Sequence, residues 1–70
     1  MMPLLMARRG ETNKISVVHG KDEIKRFLAN LGFVEGSDVT VISEIDGNLI
    51  VNVKDARIAL SKQMAAKIFI

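Results

Sequence analysis

The sequence predicts a mainly β fold with short helices: a small, partly open β-barrel of about five strands. Three observations carry that prediction. Short runs of β-branched and aliphatic residues, 38–43, 49–53 and 57–60, alternate in polarity and are separated by turn residues. One stretch breaks this pattern, because Ile24, Phe27, Leu28 and Leu31 fall at i, i+3, i+4 and i+7, the spacing of one helix face. A last apolar run, 68–70, follows a short helical segment and is placed to return beside the first strand.

Taken in order, Pro3 opens a short helical turn or irregular lead-in over 3–7, where Leu4, Leu5 and Met6 are expected either to plug one end of the barrel or to form a sticky patch. Arg8 and Arg9 end it, two adjacent cations suited to solvent or to gripping an acidic partner. Residues 14–18 read as the first strand, with Ile15 and Val17 on one face and Ser16 on the other. His19-Gly20 closes it, and the lone histidine reads as an exposed turn residue.

The central helix is expected over 21–31, with Gly20 as N-cap, Asp22 and Glu23 at the positive end of the dipole, and Lys25 and Arg26 toward water. Gly32 supplies a left-handed stop, and Phe33 is placed to fold back on Leu28 in a Schellman motif. Gly36 suits a turn before the strand at 38–43. Asp46-Gly47 then predicts a tight antiparallel hairpin. If Val39, Val41, Leu49, Val51 and Val53 point inward, Ile42 and Ile50 point outward and need a cover. A second turn at 54–56 leads to the strand at 57–60, and Ser61 caps a short helix over 62–67.

Seventy residues make one domain, 1–70, that buries only about 60% of its unfolded surface, so its stability margin is thin. The absence of cysteine excludes disulfides and thiolate metal sites. A hydrophobic content of 49% is high for this size, and leaves apolar side chains at the surface for a partner to cover. The net charge of +2 comes from ten basic and eight acidic residues without a run of one sign. The pI of about 9.3 is therefore a weak pointer to nucleic acid, and with three Phe, no Tyr and no Trp the stacking aromatics are missing. No apolar run approaches the ~20 residues that span a bilayer, and 1–7 is no signal peptide, so the expected location is cytoplasmic.

No catalytic constellation emerges. Gly20-Lys21 resembles the end of a phosphate-binding loop, but Ile15 stands where that loop needs glycine and Asp22 where it needs Ser or Thr. The glycines of Gly32-Phe-Val-Glu-Gly36 follow a helix and precede a strand, the reverse of a dinucleotide loop. Asp22 and Glu23 diverge on a helix and do not share a proton. Ser16, Ser37, Ser43 and Ser61 have only His19 as a possible base. The chain is expected not to be an enzyme, with no cofactor and no resident metal.

The Gly10-Glu11 pair, the Leu31-Gly32-Phe33-Val34-Glu35-Gly36 turn, the strand Val39-Thr40-Val41 and the closing Ile58-Ala59-Leu60 with Ala65-Ala66-Lys67-Ile68 resemble the FeoA family over nearly the whole chain. That resemblance implies an SH3-like barrel, no enzymatic activity, and a cytoplasmic accessory role in ferrous iron uptake with FeoB, the membrane transporter that carries a guanine-nucleotide-binding domain. Glu35 departs from the proline more usual before the second glycine, a change worth about 0.4 to 1 kcal/mol of unfolded-chain entropy. The matched residues form the fold and name no binding residue.

The expected contact surface for the transporter is therefore drawn from the residues themselves: Leu4, Leu5, Ile42 and Ile50 as apolar contacts, with Arg8 and Arg9 steering. The location would then be cytoplasmic and peripheral at the inner membrane through the partner, without insertion. Self-association through an edge strand stays open. Two alternatives are a metal-responsive regulatory module, with His19, Asp22 and Glu23 as the residues to watch, and nucleic-acid binding through Lys21, Lys25, Arg26 and Lys62. Similar domains end some metal-dependent repressors, but 70 residues leave no room for the DNA-binding helices of such a regulator.

Overall fold

The computed structural model describes residues 1–70. A 3-10 turn, Leu4–Met6, leads into β1 (Thr12–Lys14), β2 (Val17–Val18), α1 (Asp22–Asn30), β3 (Asp38–Ile45), β4 (Asn48–Val53), β5 (Ala56–Ser61), α2 (Lys62–Ala65) and β6 (Ile68–Phe69). The strands form a four-stranded antiparallel sheet in the order β1-β3-β4-β5 and a two-stranded sheet of β2 and β6, and the two do not close into one barrel. This is the mainly β, partly open architecture the sequence predicts.

The first strand is not one strand, and this split is why there are six strands instead of about five. The Ile15 N–H donates to the Ser37 carbonyl at 2.9 Å, and its own carbonyl accepts from Gly36 at 2.8 Å, while the Ser16 N–H donates to Phe69 at 2.7 Å. The chain thus changes partners at Ile15, whose buried side chain sits in the core. Alternation alone does not say which neighbour a strand will find. The expected return of the last strand is met by the second half: Val17 pairs with Phe69 and Val18 with Ile68.

Two details of α1 correct the sequence reading. Its N-cap is Lys21, not Gly20, with no side-chain hydrogen bond at the cap. Its apolar stripe is also narrower than the spacing implies. Leu28 is fully buried, Ile24 and Leu31 are half-buried, and Phe27 is 49% exposed. Phe27 stands roughly 100° round the axis from Leu28, and a twelve-residue core covers little more than the line through Leu28. The other end is as expected. The Phe33 N–H donates to Leu28 and the Gly32 N–H to Ala29, both at 2.9 Å, with Gly32 at φ +108° and Phe33 buried.

The β3–β4 hairpin turns at Asp46-Gly47, φ 50° and 79°, and buries Val39, Val41, Leu49, Val51 and Val53 as the alternation requires. A bulge lies between Val41 and Ser43, so Ile42 has no cross-strand partner; it and Ile50 are half-buried. The β4–β5 hairpin turns at Lys54-Asp55, also with positive φ (49° and 62°) but without glycine. Strand β1 is held to β3 on the solvent side by a Thr12–Thr40 hydroxyl bond of 2.7 Å and a Lys14–Asp38 ion pair of 3.0 Å. Ser61 caps α2, its Oγ accepting from the Met64 N–H at 3.2 Å. Helix α2 is one turn and ends before the predicted 67. Met2 and Ile70 exchange backbone hydrogen bonds of 3.0 and 2.8 Å, tying the two termini together.

Candidate functional site

Of the residues expected to meet a partner, Leu5, Arg8 and Arg9 are exposed, Ile42 and Ile50 are half-buried, and one is not at the surface. Leu4 is buried beneath the 3-10 turn and is a core residue, so it leaves the contact surface; the turn packs on α2 and points Leu4 inward. Leu5 is at the surface, beside Met6, which is 69% exposed. Arg8 and Arg9 follow, both exposed, and the Gly10 N–H donates to the Val41 carbonyl at 2.7 Å. That bond ties the residue after the arginine pair to β3, one position before Ile42. Met1 and Met2 are also exposed, and add to the Leu4, Leu5 and Met6 that sequence reasoning named in this segment.

Charge on this side is partly committed. The Glu44 carboxyl is held below the usual carboxylate range first by a hydrogen bond from Lys62, then by the charge of Lys62, and lastly by that of Arg9, outweighing a small burial effect. Lys62 Nζ lies 2.6 Å from Glu44 Oε1, so this lysine, one of the four expected on a nucleic-acid face, is occupied within the chain.

Two depressions complete the surface. One, about 1010 Å³, is polar and open, between the 34–38 turn and the β4–β5 turn, and mixes Glu35, Asp38 and Asp55 with Lys54 and Arg57. Its charges of both signs select no ligand chemistry. The other, about 680 Å³, runs between the start of α1 and α2 and is lined by Lys21, Ile24, Met64 and Lys67 among others. Sequence reasoning missed it, because α2 is too short to show a periodicity and Gln63 and Met64 come beside the start of α1 only through the fold.

His19, Asp22 and Glu23 do not gather into a group of three or more ligating side chains. His19 instead meets the Phe69 ring edge to face at 4.9 Å. No helix is long and apolar enough to cross a membrane.

The FeoA domain model matches residues 2–70. No curated protein matches the sequence at a significant level. Among solved structures, a Stenotrophomonas maltophilia FeoA complexed with zinc, described as a procaryotic SH3 domain protein and a candidate ferrous iron transport activating factor, is 28% identical. It superposes with a TM-score of 0.84 over 99% of this chain and 88% of that one. An iron uptake regulatory protein (FeoA) is 22% identical, with a TM-score of 0.87 over 96% and 89% of the two chains. A manganese-dependent transcriptional repressor, 23% identical, shares the fold at a TM-score of 0.82 over 94% of this chain but only 38% of its own.

Proposed function

This chain belongs to the FeoA family, and from that we propose that it is a non-enzymatic accessory protein of ferrous iron uptake, docking on the cytoplasmic part of an FeoB-type membrane transporter. The observation that carries this reading is the exposed apolar side chains of Met1, Met2, Leu5 and Met6 next in sequence to Arg8 and Arg9, on a chain whose family match covers residues 2–70.

The mechanism is contact. Flexible methionines adapt to an apolar surface on the partner, and burying them there slows dissociation. The arginine pair steers encounter with an acidic patch and sets register, an effect that weakens with salt. Ile42, at the bulge beside Gly10, and Ile50 extend the contact along β3 and β4. The chain then acts in the cytoplasm, peripheral at the inner membrane through its partner.

Titrating the 15N-labelled chain with the transporter's cytoplasmic part, with and without guanine nucleotide, is the test. Shifts are expected at 5–9 and at Ile42 and Ile50. Absence of any localised shift at high partner concentration in both nucleotide conditions would discard the reading.

A further inference from the structure

The groove between α1 and α2 has a chemistry of its own. We propose that it is a second docking site, which takes an acidic peptide segment carrying one apolar anchor side chain. The inference rests on the reading of this chain as a contact protein, and names what a partner must offer at this place.

The floor is apolar. Ile24 and Met64 pack against the core from its edge and are only half-buried, so each keeps a hydrophobic surface facing the groove. The walls are cationic. Lys21 stands on the α1 side and Lys67 on the α2 side, and no lining residue is acidic. The two ion pairs of the chain are Lys14–Asp38 and Lys62–Glu44, so both groove lysines lack a carboxylate partner. Helix α1 starts beside the groove with Asp22 and Glu23 in its first turn, and neither carboxylate lines the groove or pairs with its lysines. Lys21 supplies no side-chain cap, and the first helical hydrogen bond runs from the Lys25 N–H to the Lys21 carbonyl.

Gly20 sets the width. At φ +131° it has no side chain, and a Cβ there would lie 3.3 Å from Ile24 Cγ2 and 3.5 Å from Lys67 Cδ. The two walls approach as they do because this position is bare. The Gly20-Lys21 pair, which fails as a phosphate loop, thus has a structural use in the groove.

Charge complementarity selects the occupant. Two lysines without a carboxylate partner and two apolar side chains in one lining fit a segment that brings carboxylates together with an apolar side chain. A small inorganic anion would leave the floor uncovered. A nucleic-acid strand would find its phosphates but no aromatic ring in the lining on which to stack a base.

The test uses the whole 15N-labelled chain and three probes: an acetylated, amidated pentapeptide of sequence Asp-Glu-Leu-Glu-Asp, its neutral Asn-Gln-Leu-Gln-Asn counterpart, and an oligothymidine of similar charge. The acidic peptide is expected to shift Gly20, Ile24, Ser61, Met64 and Lys67. Its affinity should fall with added salt and drop by about tenfold or more in Lys21→Glu with Lys67→Glu. Lys21→Glu alone, at an exposed position, keeps the test open if the double variant misfolds. Equal binding of the neutral peptide, shifts confined elsewhere, indifference to charge reversal, or equal binding of oligothymidine each overturn the proposal. The transporter's cytoplasmic part separates the two readings. Peptide binding in the groove without transporter docking sinks the partner and keeps the groove; transporter docking at 5–9 without groove binding does the opposite.

Discussion

At its C-terminal end α1 runs into a Schellman stop whose hydrogen bonds, glycine and apolar contact are all satisfied inside the molecule: Phe33 and Leu28 are both buried, and a Cβ on Gly32 would come within 2.7 Å of Lys54 Cγ. At its N-terminal end the same helix starts from an uncapped lysine beside a bare glycine, and opens onto a groove with unpaired cations. The two glycines look alike in the sequence and both have positive φ. The difference teaches that one end of the helix is tied into the fold and the other is left available. Stability should therefore be sensitive at the first, and contact with other molecules at the second.

The largest effect should come from Leu28→Ala. Removing a fully buried side chain at the closed end is expected to cost about 2–5 kcal/mol, a large share of the roughly 4–10 kcal/mol available to a domain of this size. Urea unfolding followed by circular dichroism reads it directly. A loss of less than 1 kcal/mol would show that the closed end does not anchor the helix.

Gly32→Ala should cost about 1–3 kcal/mol, because φ +108° is outside the range an alanine adopts and the methyl meets Lys54. Gly36, with positive φ but nothing near its missing Cβ, is the control that separates backbone strain from the clash. If Gly36→Ala costs as much, the contact with Lys54 contributes nothing.

Charge reversal at the open end is expected to leave stability within about 0.5 kcal/mol in Lys21→Glu, as for other exposed positions. A melting transition shifted as far as that of Leu28→Ala would erase the contrast between the ends.

The smallest effect is the pH dependence of the Lys62–Glu44 pair, which fastens the start of α2. Since folding lowers the Glu44 pKa, the pair's contribution is present above the ordinary carboxylate range and is lost as pH falls through the lowered value. Both groups are well exposed, so the contribution is small. Glu44→Gln should flatten that part of the acid stability curve measured from pH 7 to 3. An unchanged curve would remove the pair from the account.

Much of the fold could be read from residue spacing alone. The Leu28, Gly32 and Phe33 pattern specifies a helix stop because only glycine enters the left-handed region cheaply there. Asp46-Gly47 does the same for its hairpin. The turn at Lys54-Asp55 was expected from its place between two strands, but its positive φ values have no glycine to announce them. The split of β1 from β2 and the bulge at Ile42 were hidden for another reason. Each depends on which backbone group a distant segment presents, Ser37 and Phe69 for the first and β4 for the second. The candidate surfaces divide in the same way. Leu5, Arg8 and Arg9 stand out as a local run, whereas Leu4 differs from Leu5 only in the direction the 3-10 turn gives it.

Local chemistry by itself determined the elements: where the helix stops, which strands alternate, where Ser61 caps and where Asp46-Gly47 turns. These follow from backbone sterics and near-neighbour hydrogen bonds, which act over a few residues. Only the tertiary structure decided that Phe27 faces solvent, that Ile15 belongs to two sheets' boundary, and that Gly20, Ile24, Met64 and Lys67 share one groove. Those outcomes depend on which surfaces compete for a core of twelve side chains, and burial is settled among residues far apart in the chain.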